Sequence, residues 1–289
     1  LPVSLLLHDL ARLFYGFHGP LPFAGASRRI RGPHVDSDLC RELALKGKIV
    51  LLTNIDQGVG PATALAMVRR GASLAVTMSG DRVEPPIIRE LRAAGATVAL
   101  FRVPARLDWS AAAHLLRSVT AKFERLDIVI ANSQLRIHWQ VDDVAQDEDA
   151  IDEQFHVNVL ATISLIRAVV RFMGEGGRII AIGASIADRV GTPGLADFAA
   201  SQAAIAAYCR GIAHDLGGRG ITVNVVQLGA MDVDQLGAAD DLIMTERNAN
   251  VLKRLGRAED AAEAIVFLAG PGASFITGSV LDVDGGYNA

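Results

Sequence analysis

The pattern of apolar runs predicts an α/β fold: one domain on a doubly wound parallel sheet, preceded by an N-terminal arm. Three observations carry this. From Lys48 to the end, short aliphatic runs alternate with longer segments of helical periodicity. The runs, of which Ile49-Val50-Leu51-Leu52 is the first, are apolar without interruption, as strands covered on both faces must be. Parallel strands also need crossover connections, and a helix between each pair supplies them.

The strands are expected at 49–52, 73–77, 97–103, 127–131, 177–182, 222–227 and 279–283. Helices are expected at 61–71, ending near Gly71, and at 85–95, led by Pro85-Pro86 and closed by Gly95. Others follow at 109–124, 149–173, 196–217 and 258–269. The body therefore runs from residue 46 to 289, and residues 1–45 form an arm and linker. In the arm, Leu6, Leu10, Leu13 and Phe17 follow helical spacing, and Arg12, Arg28, Arg29 and Arg31 face a single acid, Asp9, up to residue 34. Residues 1–18 could dock on a partner or a membrane surface, or pack on their own domain. Pro20, Pro22, Gly25, Gly32 and Pro33 make 19–35 a linker.

Composition narrows the function classes. Of 289 residues, 51% are hydrophobic and 21% charged, enough for a large core. A net charge of -4 points away from nucleic acid as a partner. Cys40 and Cys209 show no paired spacing, so neither a disulfide framework nor a metal site is expected. A reducing compartment, cytoplasm or organelle matrix, is the default. The acids Asp232, Asp234, Asp240 and Asp241 read as a solvated lid, and those from Asp142 to Glu153 as helix-start charges.

Chemistry gathers after the first strand. Thr53-Asn54-Ile55-Asp56-Gln57-Gly58-Val59-Gly60 leads into a helix. Small residues there let a backbone approach a pyrophosphate while the helix N-terminus points its N–H groups at the anion. Gly58 and Gly60 meet that need, as they would in any tight strand-to-helix turn. Further along stand Asn132 after the fourth strand, Asn158 in the long helix and Ser185 after the fifth strand. Thirteen residues on (198 − 185) comes Phe198-Ala199-Ala200-Ser201-Gln202, then Asn224-Val225-Val226-Gln227-Leu228-Gly229 and, near the end, Asp284-Gly285-Gly286.

In order and spacing, these motifs resemble those of the short-chain dehydrogenases and reductases, in particular the ketoacyl-reductase-like members. The resemblance covers residues 46 to 289 and implies a Rossmann-like fold, a nicotinamide cofactor and hydride transfer at a carbonyl or alcohol carbon. It places Thr53, Asn54, Gly58, Gly60, Asn132 and Gly229 around the cofactor, with Ser185 and Asn158 as catalytic positions. It also implies a tyrosine and a lysine four residues apart, on one helix face. The tyrosine moves the proton, and the lysine's charge lowers its pKa from near 10.

Those two positions hold Phe198 and Gln202. Phenylalanine has no exchangeable proton, and glutamine carries no charge. Losing a positioned general acid costs about 100- to 10,000-fold. The cofactor side departs too. Asn54 replaces a loop glycine and is expected to crowd the adenosine end. Ala105 stands where an acid is usual, and Gln134 replaces a glycine of the cofactor wall. Thr77-Met78-Ser79 offers neither an acid for a ribose nor a base for a phosphate, so NAD and NADP are not distinguished. Tyr208, Ser201 and Ser185 are weak substitute acids. The expectation is a non-catalytic subunit without a cofactor, kept for assembly in a homo- or hetero-oligomer. The alternatives are an NAD- or NADP-dependent oxidoreductase with a rearranged site, and a sensor of a nucleotide or acyl ligand.

Overall fold

The computed structural model describes residues 44–104, 106–234 and 240–289. The arm at 1–18, the linker at 19–35, Cys40, Ala105 and the side chains of Asp240 and Asp241 lie outside the described residues.

Seven parallel strands form one sheet: β1 (Ile49–Leu52), β2 (Ser73–Ser79), β3 (Val98–Val103), β4 (Ile128–Ala131), β5 (Arg178–Ala184), β6 (Thr222–Leu228) and β7 (Val280–Val283). Their order is β3-β2-β1-β4-β5-β6-β7. The helices are α1 (Gly60–Arg69), α2 (Pro86–Ala93), α3 (Trp109–Phe123), α4 (Glu148–Phe155), α5 (Thr162–Val169), α6 (Ala196–Leu216), α7 (Asp240–Ala249) and α8 (Ala258–Ala269). No described helix is long and apolar enough to cross a membrane.

Strand periodicity explains the two cores. Val50, Leu52, Ile128, Ile130, Ile180, Ile182, Val226 and Leu228 point to one face, where α1, α2 and α8 cover them. Their neighbours Ile49, Leu51, Val129, Ile179, Ala181, Val223 and Val225 point to the other, under α3, α5 and α6. Both sets are buried, so these strands read as unbroken apolar runs. Burying one Leu of this kind contributes about 1.5–3 kcal/mol.

Two differences from the expected elements have local causes. The long helix at 149–173 is three segments, because a π-helical stretch, His156–Ala161, separates α4 from α5. It carries Asn158, whose side chain bonds across to a loop rather than following the helix surface. The acid-rich lid is not all loop either. Its second part is α7, starting at Asp240, where acids favour the positive end of a helix.

The sheet reverses direction of growth between β1 and β4, which leaves a crevice at their carboxyl ends. The C-terminal segment is brought to the same edge by Asn224, whose amide donates to Ile276 O at 2.8 Å and accepts from Ser279 N at 3.1 Å.

Candidate active site

The β1–α1 loop is tied across the crevice. Thr53 Oγ1 accepts from Asn132 N at 2.8 Å. Asn132 Nδ2 donates to Asn54 O and Gln57 O, both at 3.1 Å. Asn54 adopts the left-handed conformation, φ 48°, which asparagine tolerates better than most residues. Its amide does not stand free in the loop: it donates to Asn132 O at 2.9 Å and Ser133 Oγ at 3.0 Å. Asn54 thus straps the end of β1 to the end of β4.

Gly60 is required where it sits. A Cβ there would lie 2.7 Å from Ile55 O and 2.9 Å from Asn54 O. Helix α1 then starts with no side chain accepting from its first amides, an arrangement suited to an anion. These features fit the pyrophosphate of a dinucleotide.

Two charged residues border this loop. Arg82, just past β2, reaches Asp56 at 2.9 Å and donates to Ser79 O at 3.4 Å. It supplies a cation beside the end of β2 that the sequence reading of Thr77–Ser79 missed. Only the fold shows that the turn brings residue 82 back to the loop. Asp234 lies on the other side, its Oδ1 3.7 Å from the Cβ position of Gly58. Although it remains open to solvent, its carboxyl is held above the usual range. Desolvation by neighbouring groups is the main cause; Glu246 and Asp232 add to it and Arg136 opposes it.

A carboxylate here repels a phosphate, and its protonated form does not. Dinucleotide affinity should therefore be higher in acid and fall as pH rises through that raised value. Asp234→Asn should bind more tightly at neutral pH, by about tenfold for one lost like-charge contact in a partly solvated site, and lose this pH dependence. A fluorescence titration of reduced cofactor at several pH values checks both. The same shift means that stability falls as pH rises from the ordinary carboxylate value of 3.8 through the raised value.

At the carboxyl end of β5, Ser185 is 1% exposed and its Oγ has no hydrogen-bond partner in the described structure. The turn Ser185–Ala187 packs against the start of α6, which carries Phe198 and Gln202. Phe198 is buried, and its carbonyl accepts from Ser201 Oγ at 2.7 Å. Gln202 is buried too. Its Nε2 donates to Ser201 Oγ at 3.3 Å, and its Oε1 lies 3.7 Å from the Cβ position of Gly183. Asn158 Nδ2 donates to the same Ser201 Oγ and to Leu135 O, both at 2.9 Å, while Leu135 N donates to its Oδ1 at 2.7 Å. Asn158, Ser201, Gln202 and Phe198 thus form one bonded unit beneath the cleft. Gln202 takes part in it as a neutral donor.

Gly229 serves a different purpose from the other loop glycines. A Cβ on it would lie 2.7 Å from Asp284 Cα, so it admits the C-terminal backbone. Gln134 Nε2 is buried without a partner beside the cleft. Tyr208 packs on the α3/α5/α6 core, where burial raises its phenol pKa. Burial also pushes the Cys209 thiol up to about 12, which removes it as a nucleophile.

A parallel sheet with a phosphate loop at its switch point and a serine after β5 defines a nucleotide-binding Rossmann-type oxidoreductase fold. The family model described as enoyl-(acyl carrier protein) reductase matches residues 54–288. The chain belongs to the short-chain dehydrogenase/reductase family. It is 34% identical over 246 residues to the cyclic-di-GMP-binding biofilm dispersal mediator protein of Escherichia coli, covering 85% of this chain and 99% of that one. It is 32% identical over 252 residues to a 3-oxoacyl-acyl-carrier-protein reductase of Salmonella typhimurium, covering 84% and 98%. A short-chain dehydrogenase of Burkholderia cenocepacia, solved in complex with NADP, superimposes with a TM-score of 0.77 at 33% identity, covering 85% and 100%.

These findings overturn the expectation of a non-catalytic assembly subunit. Similar proteins of nearly full coverage are named as reductases, and one holds NADP. The expectation that no cofactor binds has no support either. The physical reason is visible in the loop. Asn54, read as an obstruction, is drawn aside into bonds with Asn132 and Ser133.

Proposed function

We propose that the chain is a nicotinamide-dependent oxidoreductase that acts on a carbonyl or alcohol carbon through a rearranged site. The observation that carries this reading is the Ser185 hydroxyl, buried and unpartnered at the mouth of β5. An orphaned buried hydroxyl costs about 1–3 kcal/mol. A substrate oxygen would satisfy it. Thr53, Gly58, Gly60, Asn132 and the first turn of α1 would hold the cofactor's phosphates, and the nicotinamide would supply the hydride.

Arg82 favours NADP, because a guanidinium beside the end of β2 can bind a ribose phosphate. Arg82→Ala should weaken NADPH binding about tenfold and leave NADH nearly unchanged, read by parallel fluorescence titrations. The name of the Salmonella relative makes 3-oxoacyl thioesters the first substrates to test.

The reading is tested by titrating the purified chain with NADPH and NADH, then following loss of the reduced-cofactor absorbance with a panel of 3-oxoacyl thioesters and ketones. Saturable binding with turnover supports it. Binding of cofactor without turnover on any carbonyl contradicts it. That outcome would favour the second reading, a nucleotide-binding sensor, which rests on the name of the Escherichia coli relative.

A further inference from the structure

Gln227 is 1% exposed near the end of β6, among the buried Val225, Val226 and Leu228. A buried amide in such surroundings needs partners for its polar atoms. Gln227 stands between Gly183 on β5 and Asp282 on β7. Gly183 leaves it room, since a Cβ there would lie 3.4 Å from Gln227 Cγ. With its nitrogen turned toward the acids, the amide donates to Asp188 Oδ2 at 2.8 Å and to Asp282 Oδ1 at 2.9 Å. The opposite orientation would set its oxygen against two carboxylates, which only accept. One amide thus uses both of its N–H donors to hold two acids.

One of those acids closes the turn that carries Ser185. Asp188 N donates to Ser185 O at 3.2 Å, at the end of the turn Ser185–Ala187. Asn288 Nδ2 donates to the same carbonyl at 3.1 Å, and Asp284 accepts from Asn288 N at 3.0 Å. Tyr287 fastens the C-terminal segment to the loop again. Its hydroxyl accepts from Gly191 N at 3.1 Å, and its carbonyl accepts from Arg189. Arg189 is thereby drawn to Tyr287, with its guanidinium carbon 4.8 Å from the ring centre. Among the described residues no cation pairs with Asp188 or Asp282. Burial raises the Asp282 carboxyl; Asp284 and Asp188 add to this and Asn288 opposes it. The positive end of the Gln227 amide therefore takes the place of a cation between two acids.

We propose that Gln227 is the positioning residue for Ser185. It acts through Asp188 and touches neither substrate nor cofactor. The inference rests on the oxidoreductase reading above, in which the Ser185 hydroxyl holds the substrate oxygen. Strand β5 ends at Ala184, so the turn that follows sets where that hydroxyl points. Gln227 pins the far end of the turn to β6 and, through Asp282, to β7. A misplacement of about 1 Å at such a group costs on the order of 100-fold in rate. The straps that hold the β1–α1 loop run through Asn54 and Asn132 instead. Cofactor affinity is therefore independent of this network.

The test uses the full chain, with NADPH and acetoacetyl-coenzyme A as probes. Gln227→Leu removes both donors, and Gln227→Glu sets a third acid between the two. Each should lower kcat about 10- to 100-fold, with KM and NADPH affinity within about threefold of wild type. A loss of packing alone would move kcat and NADPH affinity together. Asp188→Asn, Gln227→Glu and Asp282→Asn combined reverse the polarity, so that two amides donate to one carboxylate. This triple variant should recover kcat to within about fivefold of wild type. No such recovery is open to it if Asp188 or Asp282 is itself the proton donor. A second readout needs no turnover. Deuterium exchange at the Asp188 amide, read by peptide mass spectrometry, should quicken about tenfold in Gln227→Leu and slow again in the triple variant. Wild-type kcat in Gln227→Leu, a triple variant no faster than Gln227→Glu, or unchanged exchange at Asp188 would overturn the proposal while leaving an active reductase. Wild type that binds NADPH yet reduces no carbonyl would overturn the oxidoreductase reading and this inference together.

Discussion

Restoring the missing pair, Phe198→Tyr with Gln202→Lys, should raise turnover by about 100- to 10,000-fold, the range that a positioned general acid supplies. The double change matters because the two groups act on one step. Tyrosine alone would be a phenol without its tuning charge, and its gain should be small. Lysine alone would place an ammonium in the buried site that Gln202 now fills, where an unpaired charge is costly. Gln202→Lys by itself should therefore lower the unfolding free energy by about 1–3 kcal/mol without raising the rate. The bonded unit around Ser201 offers partial relief, since Asn158 and Ser201 can turn acceptors toward the new cation. The check is steady-state kcat for the two single variants and the double, with urea unfolding of each. A double variant no faster than wild type would mean that Phe198 does not occupy the proton donor's place.

Gly60→Ala should abolish cofactor binding at any practical concentration, a loss of at least about 100-fold, while the rest of the fold persists. The added methyl would sit 2.7 Å from Ile55 O and 2.9 Å from Asn54 O. Both are backbone atoms, so no side chain can swing aside. The loop must open, which breaks the Gly60 N to Gln57 O bond and the Asn132 contacts to Asn54 O and Gln57 O. Overpacking of this kind costs about 1–3 kcal/mol. Fluorescence titration with NADPH gives the affinity, and circular dichroism shows that the fold remains.

Much of this was legible in the sequence because it was written in local pattern. Val50 and Leu51 face opposite cores, yet both are apolar, so β1 reads as a buried parallel strand. The spacing from Ser185 to Phe198 likewise survives as a linear motif. What escaped was tertiary. The π-helical stretch at Asn158 depends on Leu135, 23 residues earlier in the chain. Arg82 becomes a candidate phosphate ligand only when the turn after β2 meets Asp56. Tyr287 reaches Gly191 across 96 positions, which no local spacing records. The Asn54 substitution was legible as a change but not in its consequence, because its hydrogen-bond partners come from the end of β4.

The most direct measurement of the oxidoreductase assignment is transfer of deuterium from C4-deuterated NADPH to a 3-oxoacyl thioester, read by mass spectrometry of the product. The account predicts a 3-hydroxyacyl product carrying one deuterium at the former carbonyl carbon. Saturable NADPH binding with no deuterium in any product would contradict it.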